Sequence, residues 1–144
     1  MVNSKNQNMK LTLQRIEEPF VMELTNEQSN SCLMDAIPSL GGQNKGFRPM
    51  QLLAGSLAGC ISVDVLNVLR KQRIDLKHYK IEINAHRKEE VPSPFEYIHM
   101  IFEFDNSVEE KNAKRIIELA KEKYCSVSAS LSKEIKITYE VRII

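Results

Sequence analysis

Neither sign of charge dominates this chain: twenty basic residues stand against nineteen acidic ones, for a formal net charge of +1. Nucleic acid is held by a concentrated basic face, whereas here Lys and Arg are interleaved with Glu and Asp, so no nucleic-acid partner is expected. Cysteine is scarce. Cys32, Cys60 and Cys125 make an odd count, which argues against a disulfide framework and leaves reactive or inert thiols. There is no Gly-rich phosphate loop, no nucleophile elbow and no zinc-type cysteine spacing. Long apolar runs are also missing. The longest uncharged stretch, Pro49 to Val63, contains Gln51, Ser56 and Ser62 and falls short of the roughly 20 apolar residues a membrane span needs, so no membrane partner is expected. The opening "MVNSKNQNMK" lacks an apolar core of the secretory type, which predicts a cytoplasmic protein.

What is present describes one globular domain, residues 1–144, with residues 1–8 polar and expected to fray. At 42% hydrophobic and 27% charged residues, with no low-complexity tract, the chain has the material for a core. Met9, Leu11 and Leu13 alternate with polar residues, as do Phe20, Met22 and Leu24 after the Glu17-Glu18-Pro19 turn, which predicts a hairpin. A third strand is expected over Ser31 to Ile37, then a loop through "PSLGGQNKGFRP". Pro49 suits the first turn of a helix that can run to about Arg73, about 37 Å at 1.5 Å per residue. The helix is apolar nearly all round and is expected to be buried on several sides. Gly55 and Gly59 would let a neighbouring element approach it closely.

Tyr79, Ile81, Ile83 and Ala85 alternate on one further strand, and Ile98, Met100, Phe102 and Phe104 on another. Setting Ala85 against Met100 places both apolar sets on one face. Ser107 and Glu110 have capping-box spacing before a second helix that ends near Cys125. "SVSASLS" then forms a short turn or helical piece, and "EIKITYEVRII" a last strand. The predicted fold is α+β, ordered βββ-α-ββ-α-β, with antiparallel sheet packed on a long central helix.

Cys60 lies in the middle of "RPMQLLAGSLAGCISVDVL", with Ser56 one turn before and Asp64 one turn after. Cys60 and Cys125 are either inert fillers or a peroxidatic and resolving pair, and spacing alone does not pair them. Asp64 would raise the pKa of a neighbouring thiol and so reads as a structural polar residue in need of an ion-pair partner. The register above opposes His86 to His99, but their face also carries Glu82, Asn84, Lys88 and Glu103 and offers no third ligand, so no metal is expected. Cys32 reads as a free thiol.

Together, "RPMQLLAGSLAGCISVDVL", the hairpin, the second helix and "YCSVSASLSKEIKITYEV" resemble the OsmC/Ohr family of thiol-dependent hydroperoxide reductases along nearly the whole chain. The similarity is greatest to the branch with an aspartate four residues after the first cysteine. The resemblance implies an intertwined homodimer with active sites at the interface, Cys60 as peroxidatic cysteine and Cys125 as resolving cysteine, and no cofactor. It implies organic or fatty-acid hydroperoxides as substrates in oxidative-stress defence, with Met50, Leu53 and Leu57 as apolar substrate contacts. A dithiol such as a lipoylated protein would be the reductant. Arg15 is the implied thiolate activator, with Arg48 a competitor, while Met50 stands where well-studied members carry the glutamate that holds that arginine. The alternative is a non-catalytic binding or thiol-sensing protein on the same scaffold.

Overall fold

The computed structural model describes residues 8–144. The fraying expected at residues 1–8 falls, up to residue 7, outside this range. The chain divides into two compact units between Leu52 and Leu53.

The first unit is an antiparallel meander of β1 (Leu11–Glu17), β2 (Val21–Asn26) and β3 (Ser31–Met34). The predicted hairpin is present, with Leu13 opposite Leu24 and Arg15 opposite Met22. Every residue of β1 is exposed, including Leu11, Leu13 and Ile16. The third strand stops three residues short of the expected Ile37, and Asp35 is the reason. Its carboxylate, 1% exposed, accepts N–H bonds from Ala36 (2.8 Å), Gln43 (2.8 Å) and Lys45 (3.2 Å), folding residues 35–47 back on the strand end. The returning loop is fastened by Asp35 N–H to the Phe47 carbonyl (3.0 Å) and Phe47 N–H to the Leu33 carbonyl (2.9 Å). A side chain at Gly42 would place its Cβ 1.8 Å from the Ala36 carbonyl oxygen, so this return requires glycine.

Helix α1 (Pro49–Lys71) starts at the expected proline and runs through the second unit. It ends two residues before Arg73, which takes a left-handed conformation (φ 58°) while Ile74 N–H bonds back to the Leu69 carbonyl at 3.1 Å. Burial is confined to one stripe, Ala54, Leu57, Ala58, Ile61, Val65 and Leu69, rather than several sides as expected. Leu53, Val63 and Leu66 remain 38%, 69% and 40% exposed, and no atom lies within 4 Å of a Cβ built on Gly55 or Gly59. By length and composition alone α1 could cross a bilayer, although its uncharged stretch is short; its buried stripe packs inside this chain.

The second sheet has the order β4 (Tyr79–Arg87), β5 (Phe95–Phe104), β6 (Lys136–Ile143). β4 and β5 form the expected antiparallel hairpin in a register two residues from the expected one: Ala85 faces Ile98, Ile83 faces Met100 and Ile81 faces Phe102. A shift of two leaves every side chain on the same face, so alternation cannot detect it. It does separate the histidines. His86 faces and stacks on Tyr97 (5.5 Å between centroids), whereas His99 faces Asn84 and shares a 2.7 Å hydrogen bond with Thr138 Oγ1. The expected opposition of His86 and His99 is not formed. β6 pairs with β5 in parallel, not antiparallel, because the chain reaches it through a helical crossover rather than a tight turn. The buried face of β5, Ile98, Met100, Phe102 and Phe104, forms much of this unit's core.

The crossover helix α2 (Glu110–Leu119) buries Ala113, Ile116 and Ile117, and a wider π turn, Ala120–Tyr124, carries it to the residue before Cys125. The Ser107–Glu110 capping box does not form: Glu109 is the N-cap and makes no side-chain bond. Asp105 takes the local donors instead, through Oδ1 from Ser107 N–H (2.8 Å) and through Oδ2 from Lys77 and His78 N–H (2.5 and 2.7 Å). These bonds hold the Asp105 carboxyl well below the usual carboxylate range, the side-chain bond with Ser107 contributing most. A short helix α3 (Ser126–Ser130) forms the predicted helical piece. The architecture is α+β, two three-stranded sheets with one long central helix.

Candidate active site at Cys60 and Cys125

The second unit brings Cys60 and Cys125 together. Cys60 precedes the fully buried Ile61 and follows the open Gly59, so its half-buried sulfur stands at the edge of the buried stripe of α1. Cys125 is reached from the other direction. The π turn widens the end of the α2 helix, Cys125 N–H closes it on the Ala120 carbonyl at 2.9 Å, and the chain turns extended at φ −73°, ψ 102° before α3 begins. Cys125 is thus the N-cap of α3. Its sulfur accepts the Ser128 N–H at 3.3 Å, the place a serine or aspartate oxygen often takes.

The two thiols are close enough to influence each other's titration, and neither is in a disulfide. Cys125 is 4% exposed. Burial pushes its thiol up to about 11, and the neighbouring Cys60 pushes in the same direction against the Ser128 N–H. Cys125 is therefore protonated at neutral pH and is not a nucleophile in its resting form. Neighbouring thiols can be joined by a disulfide once one of them is oxidised. A cavity of about 470 Å³ opens onto Cys125 between Tyr124, Ser128 and Ile137; Cys60 is not among its walls.

The other expected site residues are divided between the two units. Met50 and Leu53 stand in the first turns of α1, half-buried and exposed respectively, while Leu57 has no accessible surface and is a core residue of the helix stripe. Arg15 belongs to the first unit, where its guanidinium contacts Glu18 Oε1 and the Pro19 carbonyl, both at 3.5 Å. Arg48 ends the returning loop there, with Nη2 3.5 Å from Asn44 Oδ1 and a buried Nε that finds no acceptor among the described residues. Asp64 is half-buried and has no ion-pair partner among the described residues, contrary to expectation; its partial access to water makes the missing partner tolerable. Cys32 sits half-buried in β3 opposite Leu24. Sequence reasoning missed Asp35, whose only local signal is the Gly-rich loop that follows it, and the lysines that surround Cys125.

A two-unit α+β chain with one cysteine on a long apolar helix and a second capping a short helix against it describes a class of thiol proteins. Residues 42–140 match the OsmC-like protein family, more than half of the sequence, and the chain belongs to that family. Among curated proteins it is similar to Protein YhfA of Escherichia coli, 29% identical over 102 residues that cover 70% of this chain and 76% of the relative. Among solved structures it is similar to a hypothetical protein from Aquifex aeolicus, with 29% identity, a TM-score of 0.78 and coverage of 96% of this chain and 99% of that one. It also shares its fold with an organic hydroperoxide resistance protein OsmC from Legionella pneumophila, at 14% identity and a TM-score of 0.70, covering 96% and 98% of the two chains.

Proposed function

We propose that the protein is a thiol-dependent peroxidase for organic hydroperoxides. The observation that carries this reading is the proximity of two free thiols of unequal character, one at the edge of a helix stripe and one buried and protonated. The Cys60 thiolate attacks the distal oxygen of ROOH, the O–O bond breaks, ROH leaves with a proton, and Cys60 becomes a sulfenic acid. The Cys125 thiol then attacks the Cys60 sulfur, forming the Cys60–Cys125 disulfide and releasing water. Cys125 must give up its proton as it attacks, and that proton leaves with the sulfenic hydroxyl as water. Two thiols supplied from outside return the pair to its reduced form. That the Legionella protein of the same fold is an organic hydroperoxide resistance protein supports the substrate class.

The working form in this reading is a homodimer. The exposed apolar side chains of β1 and the open face of α1 leave the single chain with apolar surface that a second copy would cover. The test is turnover: reduced protein with a dithiol and tert-butyl hydroperoxide should consume peroxide, and Cys60→Ser should abolish consumption. Wild-type consumption no faster than that of Cys60→Ser would refute the proposal.

A further inference from the structure

The cavity beside Cys125 carries charge of largely one sign. Lys121, Lys123 and Lys133 line it against a single acid, Glu122, while Ser126 and Ser128 add polar groups. Lys121 is engaged, 3.3 Å from Glu118 Oε1 and 5.5 Å above the Tyr139 ring. Lys123 and Lys133 have no ion-pair partner among the described residues, so their charge is free to act on whatever enters. Ala129, Ile135 and Ile137 provide apolar wall, and about 470 Å³ is the volume of a small-molecule site.

From this arrangement we propose that the cavity is the docking site for a small carboxylate-bearing thiol that reduces the protein through Cys125. The proposal rests on the peroxidase reading only in assuming that a Cys60–Cys125 disulfide arises. The ligand thiolate attacks the Cys125 sulfur of that disulfide. A bond forms between the two sulfurs, the Cys60–Cys125 bond breaks, and its electron pair leaves on Cys60, which takes up a proton. A second thiol of the same kind attacks the ligand sulfur, releases the ligand as a disulfide, and returns Cys125 to its protonated thiol. Two ligand thiols are oxidised and one protein disulfide is reduced. Geometry sets the direction, because the cavity meets Cys125 and excludes Cys60 from its walls. Leaving-group chemistry agrees: a sulfur whose thiol is held near 11 is expelled poorly, so exchange at Cys125 displaces the other cysteine. The free lysines would raise the local concentration of anionic thiols, most strongly at low salt.

The test compares an anionic and a neutral thiol, 3-mercaptopropionate and 2-mercaptoethanol, as reductants of the protein oxidised by one equivalent of hydroperoxide, with rates corrected for thiolate fraction. Wild type should favour the carboxylate by roughly tenfold at low ionic strength, and the preference should fall to near unity in Lys123→Gln/Lys133→Gln and in high salt. A second arm needs no peroxide chemistry. In a Cys32→Ser/Cys60→Ser background only Cys125 remains, and its reaction with the dianionic dithionitrobenzoate is compared with that of the neutral dithiodipyridine, each referenced to a free peptide thiol. The anionic probe should be favoured, and the lysine substitutions should remove that bias. No bias in wild type, or one that survives the substitutions, overturns the proposal. If hydroperoxide forms no disulfide while the probe bias holds, the peroxidase reading fails and the anion-selective cavity stands.

Discussion

Gly55 and Gly59 separate two accounts of the open α1 face by the sign of a stability change. A Cβ built on either meets no atom within 4 Å in the single chain. Were the face free in solution, replacing both by alanine would only remove the backbone-entropy penalty of glycine within a helix, about 1 kcal/mol per site. The double variant would gain about 2 kcal/mol, a rise of about 4–8 °C in Tm for a chain of this size. The proposed dimer predicts the opposite. With the face packed on a second copy, each methyl overpacks a fitted contact at about 1–3 kcal/mol and occurs twice across a two-fold interface. The helical gain is shared by the free chain and cancels from association, so four methyls weaken the dimer by about 4–12 kcal/mol. The low end alone, about 4 kcal/mol, is several hundredfold in Kd. Sedimentation velocity over a concentration series, with thermal melts in parallel, measures both quantities. A double variant that melts higher and keeps the wild-type mass at every concentration would refute packing at this face.

Three further outcomes follow from groups the fold has placed. Ser62→Ala removes the acceptor of the Tyr79 hydroxyl, 2.9 Å away, whose pKa burial has already pushed up to about 12. Leaving that buried hydroxyl unsatisfied should cost about 1–3 kcal/mol in urea unfolding, and no loss would mean the bond is not formed in solution. Asp105 has a folded pKa below its unfolded value, so its contribution is complete above the unfolded carboxylate pKa and is lost as pH falls through the folded one. Wild type should lose stability from about pH 4 downward, and Asp105→Asn should flatten that slope in acid titrations followed by circular dichroism. Phe102→Ala empties a fully buried position between Tyr79 and Tyr139 and should cost about 3–5 kcal/mol by chemical denaturation; less than 1 kcal/mol would contradict a packed core there.

Local chemistry was legible in the sequence wherever one element decides it. Pro49 opens α1, alternation finds five of the six strands, and the Cys125 context announces a helix end followed by a short helical piece. What a sequence pattern does not carry is choice between equivalent arrangements. Alternation is blind to a two-residue slip, so the register of β4 on β5, and with it the pairing of His86, had to come from structure. The direction of β6 depends on a crossover and not on its own residues. Ser107 has the spacing of a capping box, yet Asp105 accepts the Ser107 N–H that Glu110 would have taken. At the site, Cys60 and Cys125 were recognisable as a pair only through resemblance, since 65 residues separate them; their contact is a property of the folded second unit.

In the proposed reading those two sulfurs act as one redox unit. Reduced protein treated with one equivalent of tert-butyl hydroperoxide, then alkylated, digested and mapped by mass spectrometry, tests it most directly. The expected products are a Cys60–Cys125 linked peptide with Cys32 alkylated as a free thiol and, in Cys125→Ser, a sulfenic acid at Cys60 that dimedone traps. Recovery of Cys60 and Cys125 as unmodified thiols, or a disulfide that joins either of them to Cys32 instead, would contradict it.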